Sequence, residues 1–163
     1  MFLVEKLPAF LYNNGSFIDT NTEDIIMANV KELLKAEENG SLSFGDYSLT
    51  QKTKLDEFSF EGDVYKVKTF QEITRLEKNG GVVYESVPGS AVHGYKETER
   101  QITFETEAAD DLQITLEVEP EKEYKVFVND TNIGKLKSSL GGKISFSIEL
   151  DAGETAKVQV VKL

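Results

Sequence analysis

The 163-residue chain has no cysteine and no tryptophan, a single histidine, three prolines and only two arginines. Each scarcity closes something. Without Cys there is no disulfide, no thiolate zinc site, no thiol redox couple and no Cys nucleophile. With His93 alone, no site can draw on a pair of histidines. Positive charge is short as well: 18 Lys+Arg face 29 Asp+Glu, a formal net charge of −11. Such a surface repels nucleic-acid phosphates and anionic lipid. Long apolar runs are missing too, since no stretch approaches the ~18 residues that a membrane helix needs. The opening Met1–Tyr12 is apolar in tone, but Glu5 and Pro8 interrupt it. No basic segment precedes it and no small-residue cleavage site follows before Asn13-Asn14-Gly15, so a signal peptide is not expected. Cytoplasmic placement is the expectation; the lack of Cys suits a bacterial cell surface equally well.

What is present can build a core, because 39% of the residues are hydrophobic. One segment carries helical signals. Thr20-Asn21-Thr22-Glu23 fits a capping box, and Ile26, Val30, Leu33 and Leu34 share one helical face. Asn39-Gly40 supplies a stop, which predicts an amphipathic helix over 21–38. From Ser41 onward the period changes to two. Phe58-Ser59-Phe60 and Val64–Phe70 flank Glu61-Gly62-Asp63, a hairpin signal. Ile73–Leu76 and Val82–Ser86 flank Lys78-Asn79-Gly80, a stronger one. The remainder is a cadence of short alternating runs, of which Leu112-Gln113-Ile114-Thr115-Leu116-Glu117-Val118 is the cleanest. Asn129-Asp130-Thr131 and Leu140-Gly141-Gly142 read as further turns. One-sided alternation of this kind implies antiparallel sheets with one face in water.

The expected fold class is therefore mainly β: an antiparallel immunoglobulin-like β-sandwich preceded by one amphipathic helix and a β-meander. Val118-Glu119-Pro120-Glu121-Lys122-Glu123-Tyr124-Lys125-Val126-Phe127-Val128 resembles the E–F corner of fibronectin type III domains. In that corner the tyrosine, here Tyr124, hydrogen-bonds back to the turn and pins the two sheets. Further landmarks are Gly40–Gly45, Tyr65–Phe70 and Val83–His93. Through them the chain from about Met27 onward resembles a group of small bacterial proteins of unassigned role, some labelled "endosialidase". Members of that group begin near Met27-Ala28-Asn29, which implies that 1–26 are an N-terminal extension or a start-site artefact. The expected organisation is that extension, then a helix with two hairpins over 27–80, then a sandwich over 81–163.

Candidate chemistry is sparse. His93 is the only imidazole, and a functional reading pairs it with Glu85 as acid and base. The structural alternative is a half-buried His satisfied by a backbone carbonyl. No Ser lies in a Gly-x-Ser-x-Gly elbow. Glu105, Glu107, Asp110 and Asp111 form an acidic knot, and a glycosidase would need two such carboxyls a few ångströms apart. Arg75 and Arg100 are a thin supply for gripping a sialic-acid carboxylate. Asp110-Asp111 and Asn129-Asp130-Thr131-Asn132 are oxygen-rich turns that could take structural Ca²⁺, or could simply be side-chain-capped turns. No other cofactor is implied. Gly141-Gly142-Lys143 lacks the spacing of a phosphate loop. Tyr47, Tyr65, Tyr84 and Tyr95 lie in the first two thirds of the chain and would make a ligand platform on a shared exposed face, or else core packing.

The expectation that follows is a non-catalytic binding or structural module with a protein or glycan partner. No nucleic acid and no membrane insertion are expected. Regular strands and short turns leave little loop on which to assemble a catalytic site. The helix stripe and the sheet edges offer surfaces for forming a homo-oligomer. The rival reading, which the label implies, is a carbohydrate-active enzyme or its accessory glycan-binding domain. A Ca²⁺-stabilised surface domain is the third.

Overall fold

Three pairs of adjacent residues with positive φ set the hairpins. Glu61-Gly62 (51° and 84°) joins β3 (Thr53–Phe60) to β4 (Asp63–Phe70). Asn79-Gly80 (52° and 88°) joins β5 (Ile73–Lys78) to β6 (Gly81–Val87). Asn129-Asp130 (50° and 67°) joins β10 (Glu123–Val128) to β11 (Thr131–Lys137). Two successive left-handed residues give the turn whose twist matches that of the flanking strands, and Asn, Asp and Gly tolerate it best. Asn79 also ties two hairpins together. Its Oδ1 accepts the Val64 N–H at 2.9 Å and its Nδ2 donates to Asp63 at 2.8 Å.

The computed structural model describes residues 32–163. The other strands are β1 (Leu34–Ala36), β2 (Leu42–Phe44), β7 (Ala91–Glu97), β8 (Gln101–Glu107), β9 (Leu112–Glu117), β12 (Lys143–Ile148) and β13 (Thr155–Lys162). They form two antiparallel sheets. The seven-stranded sheet runs β1-β2-β7-β8-β13-β10-β11, and the six-stranded sheet runs β12-β9-β6-β5-β4-β3. The last strand, β13, is therefore interior, paired with β8 on one side and β10 on the other. Residues 34–163 make one compact unit, and within it the residues up to 80 and the stretch 81–163 each supply strands to both sheets.

Alternation decides which residues are buried. Leu112, Ile114 and Leu116 on β9 point inward beside Ile144, Phe146 and Ile148 on β12. Ala156, Val158 and Val160 do the same on β13. The sheets meet at an aromatic centre. Tyr84 of the six-stranded sheet lies 5.3 Å from Phe44 and 5.6 Å from Phe104 of the other, both edge-on. Each such apolar side chain contributes about 1.5–3 kcal/mol on burial.

The described residues contain no helix, and none therefore crosses a membrane as one. Residues 21–31 of the expected helix lie outside the described residues. Its remainder, 32–38, is a turn followed by β1, which corrects the expectation. Leu34 pairs with Phe44 and Ala36 with Leu42. Asn39-Gly40, read as a helix stop, closes this hairpin: Gly40 has φ +83° and the Glu37 N–H donates to Ser41 at 2.8 Å. Ladder pairing with an apolar strand outweighs helix propensity over these few residues.

Candidate functional site

Strict alternation along β7 would put Ala91, His93 and Tyr95 on one face. Gly94, at φ +68°, interrupts it, and the β7–β8 register slips between His93 and Lys96. The slip is a β-bulge, which re-aims side chains. Val92 and Tyr95 consequently point inward while His93 faces solvent. His93 lines an open groove of about 820 Å³, and its Nε2 lies 3.4 Å from a Glu107 carboxylate oxygen. Glu85 is on the other sheet, where its carboxylate accepts from Arg75 at 2.8 and 3.2 Å. The expected His93–Glu85 pair is thus not formed, because the two strands belong to different sheets.

The four tyrosines do not make an exposed platform. Tyr65, Tyr84 and Tyr95 are buried and Tyr47 is half-buried. Alternation identifies a shared face but not which face is the core, and here it is the core. The oxygen-rich turns are committed locally. Asp111 accepts the Leu150 N–H at 2.9 Å, Asp110 accepts the Asp111 N–H, and Asp130 lies 3.1 Å from Lys157. Among the described residues no three His, Asp or Glu side chains converge as metal ligands would. Gly142 closes a turn onto Ser139, and Lys143 opens β12, its ammonium donating to the Val82 carbonyl at 2.7 Å. The tyrosine corner is formed: the Glu119 N–H donates to the Tyr124 hydroxyl at 3.0 Å where the chain crosses between sheets.

A buried polar network, which the sequence reading missed, surrounds Tyr84. Its hydroxyl is 2.8 Å from Ser90 Oγ, which is 2.7 Å from Ser86 Oγ. Thr74 exchanges hydrogen bonds with the Ser90 backbone at 2.8 and 2.9 Å. Every member is fully buried, and each hydroxyl has a partner, as burial requires.

Tyr95 is the exception. Its hydroxyl has no hydrogen-bond partner, the one buried side-chain N or O atom among the described residues in that state. Tyr95 lines a cleft of about 470 Å³ between the sheets. Leu42, Lys96 and Glu97 join it from one sheet; Phe60, Asp63, Tyr65 and Lys78 come from the other. Burial, then the Glu97 charge, pushes the Tyr95 phenol well above its ordinary value. Burial and the carboxylates Asp63, Glu97 and Glu61 push Tyr65 up likewise. Glu97 is exposed along its length, yet protein crowding its carboxyl raises its pKa against the pull of Lys78, with Glu117 and Asp63 adding. Negative charge therefore gathers at the cleft. Five pairings in the two sheets carry register slips, and four of them, β2–β7, β3–β4, β5–β6 and β7–β8, involve strands that wall it. An isolated Gly within a strand pattern is the one sequence signal that points here, and Gly94 carries it.

Comparison with protein-family models, with curated proteins and with solved structures found no match to the chain.

Proposed function

We propose that the chain is a β-rich, non-catalytic binding module whose ligand seat is the cleft floored by Tyr95. The observation that carries this reading is the partnerless Tyr95 hydroxyl beside that cleft. A buried polar atom without a partner costs about 1–3 kcal/mol, and a ligand group would supply what it lacks. The Tyr124 corner supports an immunoglobulin-like relationship. That likeness is of the corner rather than of the whole strand order. β13, inserted beside β10, stands where a strand preceding the corner stands in immunoglobulin domains. The test is a titration of ¹⁵N-labelled protein with a panel of small amines, polyols and carboxylates. At least one class should shift resonances of Tyr95, Glu97 and Phe60 together. A panel that moves none of them removes the reading.

A second reading, a carbohydrate-active enzyme or its accessory glycan-binding domain, is favoured by one observation. Glu97, with its raised pKa, also lines a neighbouring cavity of about 360 Å³ with Arg100, Glu117 and Glu119. Carboxyls whose affinities for protons are pushed apart are what glycoside hydrolysis requires. Release of nitrophenol from aryl glycosides by the native chain, abolished in Glu97→Gln, would favour it over the binding reading.

A further inference from the structure

We infer that the cleft recognises a primary ammonium group on a short alkyl stem, with the Tyr95 hydroxyl oxygen and the Glu97 carboxylate as its acceptors. This rests on the binding-module reading and names the ligand's chemistry. The first argument is the balance of charged groups. Glu38, Glu61, Asp63 and Glu97 line the cleft, and only Lys78 and Lys96 oppose them there. Both lysines are already engaged: Lys78 Nζ lies 3.7 Å from Asp63, and Lys96 donates to the Asn39 carbonyl at 3.3 Å. An incoming group that only donates fits this surplus of acceptors, and an ammonium is three donors with no acceptor.

The second argument is the wall. Phe60 and Tyr65 stand together with ring centroids 6.2 Å apart and line the same cleft. Aromatic rings suit an alkyl stem by apolar contact and a cation by their quadrupole. The third is access. Glu97 and Lys96, which line the cleft, are exposed, and exposed side chains change rotamer within nanoseconds, so its rim can adapt to a ligand without moving a strand. The fourth is the long-range field. A net charge of −11 raises the local concentration of cations and lowers that of anions. A neutral sugar would gain nothing from that field, and a carboxylate ligand would be repelled by it.

The experiment titrates ¹⁵N-labelled full-length protein with three isosteric probes: butylammonium, 1-butanol and butyrate. Butylammonium should shift the Tyr95, Glu97 and Phe60 resonances, with 1-butanol and butyrate at least tenfold weaker. Tyr95→Phe and Glu97→Gln should each weaken butylammonium at least fivefold while the spectra elsewhere stay those of the native fold. Unchanged affinity in both variants overturns the assignment. Saturable binding of 1-butanol or butyrate at the same residues, as tight as butylammonium or tighter, overturns the ammonium class and leaves the binding reading standing. Silence from all three probes, with silence from the wider panel, overturns both. Where butylammonium binds, 1,5-diaminopentane and N-acetyl-lysine methylamide distinguish a free amine from a lysine side chain. Whichever binds tighter names the source.

Discussion

Two tyrosines in one core make opposite predictions for the same chemical change. Tyr84 and Tyr95 are both buried, with ring centroids 6.4 Å apart. Replacing either by Phe removes one oxygen and leaves the ring packing in place. Tyr84 gives up its hydrogen bond to Ser90 at 2.8 Å, while Ser90 keeps Ser86 at 2.7 Å. The net loss of such a bond is about 0.5–1.5 kcal/mol. Tyr95 has no bond to give up. Removing its hydroxyl recovers a desolvation penalty of roughly 1–3 kcal/mol, reduced by the oxygen-sized void left behind. The two variants should therefore differ by about 2 kcal/mol in opposite directions from the native chain. With a urea slope of about 1–3 kcal/mol/M, that separates their midpoints by roughly 1 M at unchanged slope. Equilibrium urea unfolding followed by circular dichroism measures it. If Tyr95→Phe unfolds at lower urea than the native protein, as Tyr84→Phe should, the hydroxyl has a partner and the argument from it fails.

Further outcomes follow from other contacts. At Gly89 an added Cβ would lie 1.9 Å from the Phe70 carbonyl oxygen, a backbone atom that no rotamer change can move. Gly89→Ala should therefore cost about 3 kcal/mol or more by thermal or urea unfolding. Gly62, at φ +84° with nothing within 4 Å, should cost only the left-handed strain of about 1–2 kcal/mol when changed to Ala. Tyr124→Phe removes the acceptor of the Glu119 N–H and should destabilise by about 1 kcal/mol in the same assay. Glu97 binds its proton more tightly in the folded state than an ordinary carboxyl does. Its contribution to stability therefore worsens as pH rises from the usual Glu range through the raised value. Glu97→Gln should melt above the native chain at pH 7, and the difference should shrink at low pH, where Glu97 is protonated in both the folded and the unfolded state; a constant difference across that window would contradict the assigned shift.

Local features of the fold were legible because their causes are local. Asn79-Gly80 and Asn129-Asp130 specify turns through two residues' tolerance of positive φ. Leu112–Glu117 declares its two faces through alternation alone. The Tyr124 corner is encoded within a dozen residues and forms the bond expected of it. What was not legible depends on partners far along the chain. Leu34 suits a helix face or a strand equally, and pairing with Phe44 settles it in β1. Nothing in Thr155–Lys162 says that it inserts between β8 and β10, since register is a property of neighbours. Within β7 a single residue separates the expected site residues: Gly94 shifts the alternation by one and sends His93 outward and Tyr95 inward.

The irregularity of β7 at Gly94 argues for the cleft together with the Tyr95 hydroxyl. A bulge disrupts ladder hydrogen bonds, so scattered bulges would be expected wherever strands end or edges need protection. One such slip does stand apart, in the edge pairing of β10 with β11 between Val126 and Phe127. The others fall in pairings that include β2, β3, β4, β5 and β7, the strands that wall the Tyr95 cleft. Two of these slips, β2–β7 and β7–β8, fall on the segment of β7 around Gly94 that carries Tyr95, so broken alternation and an unsatisfied buried atom coincide there. Where local rules of folding are violated together, a functional demand is the usual cause. The spread of negative charge then has two consequences. Along the outer strand faces it opposes indiscriminate pairing of strand edges, and at the cleft mouth it favours approach of a cation over that of an anion, which is what the proposed ammonium site requires.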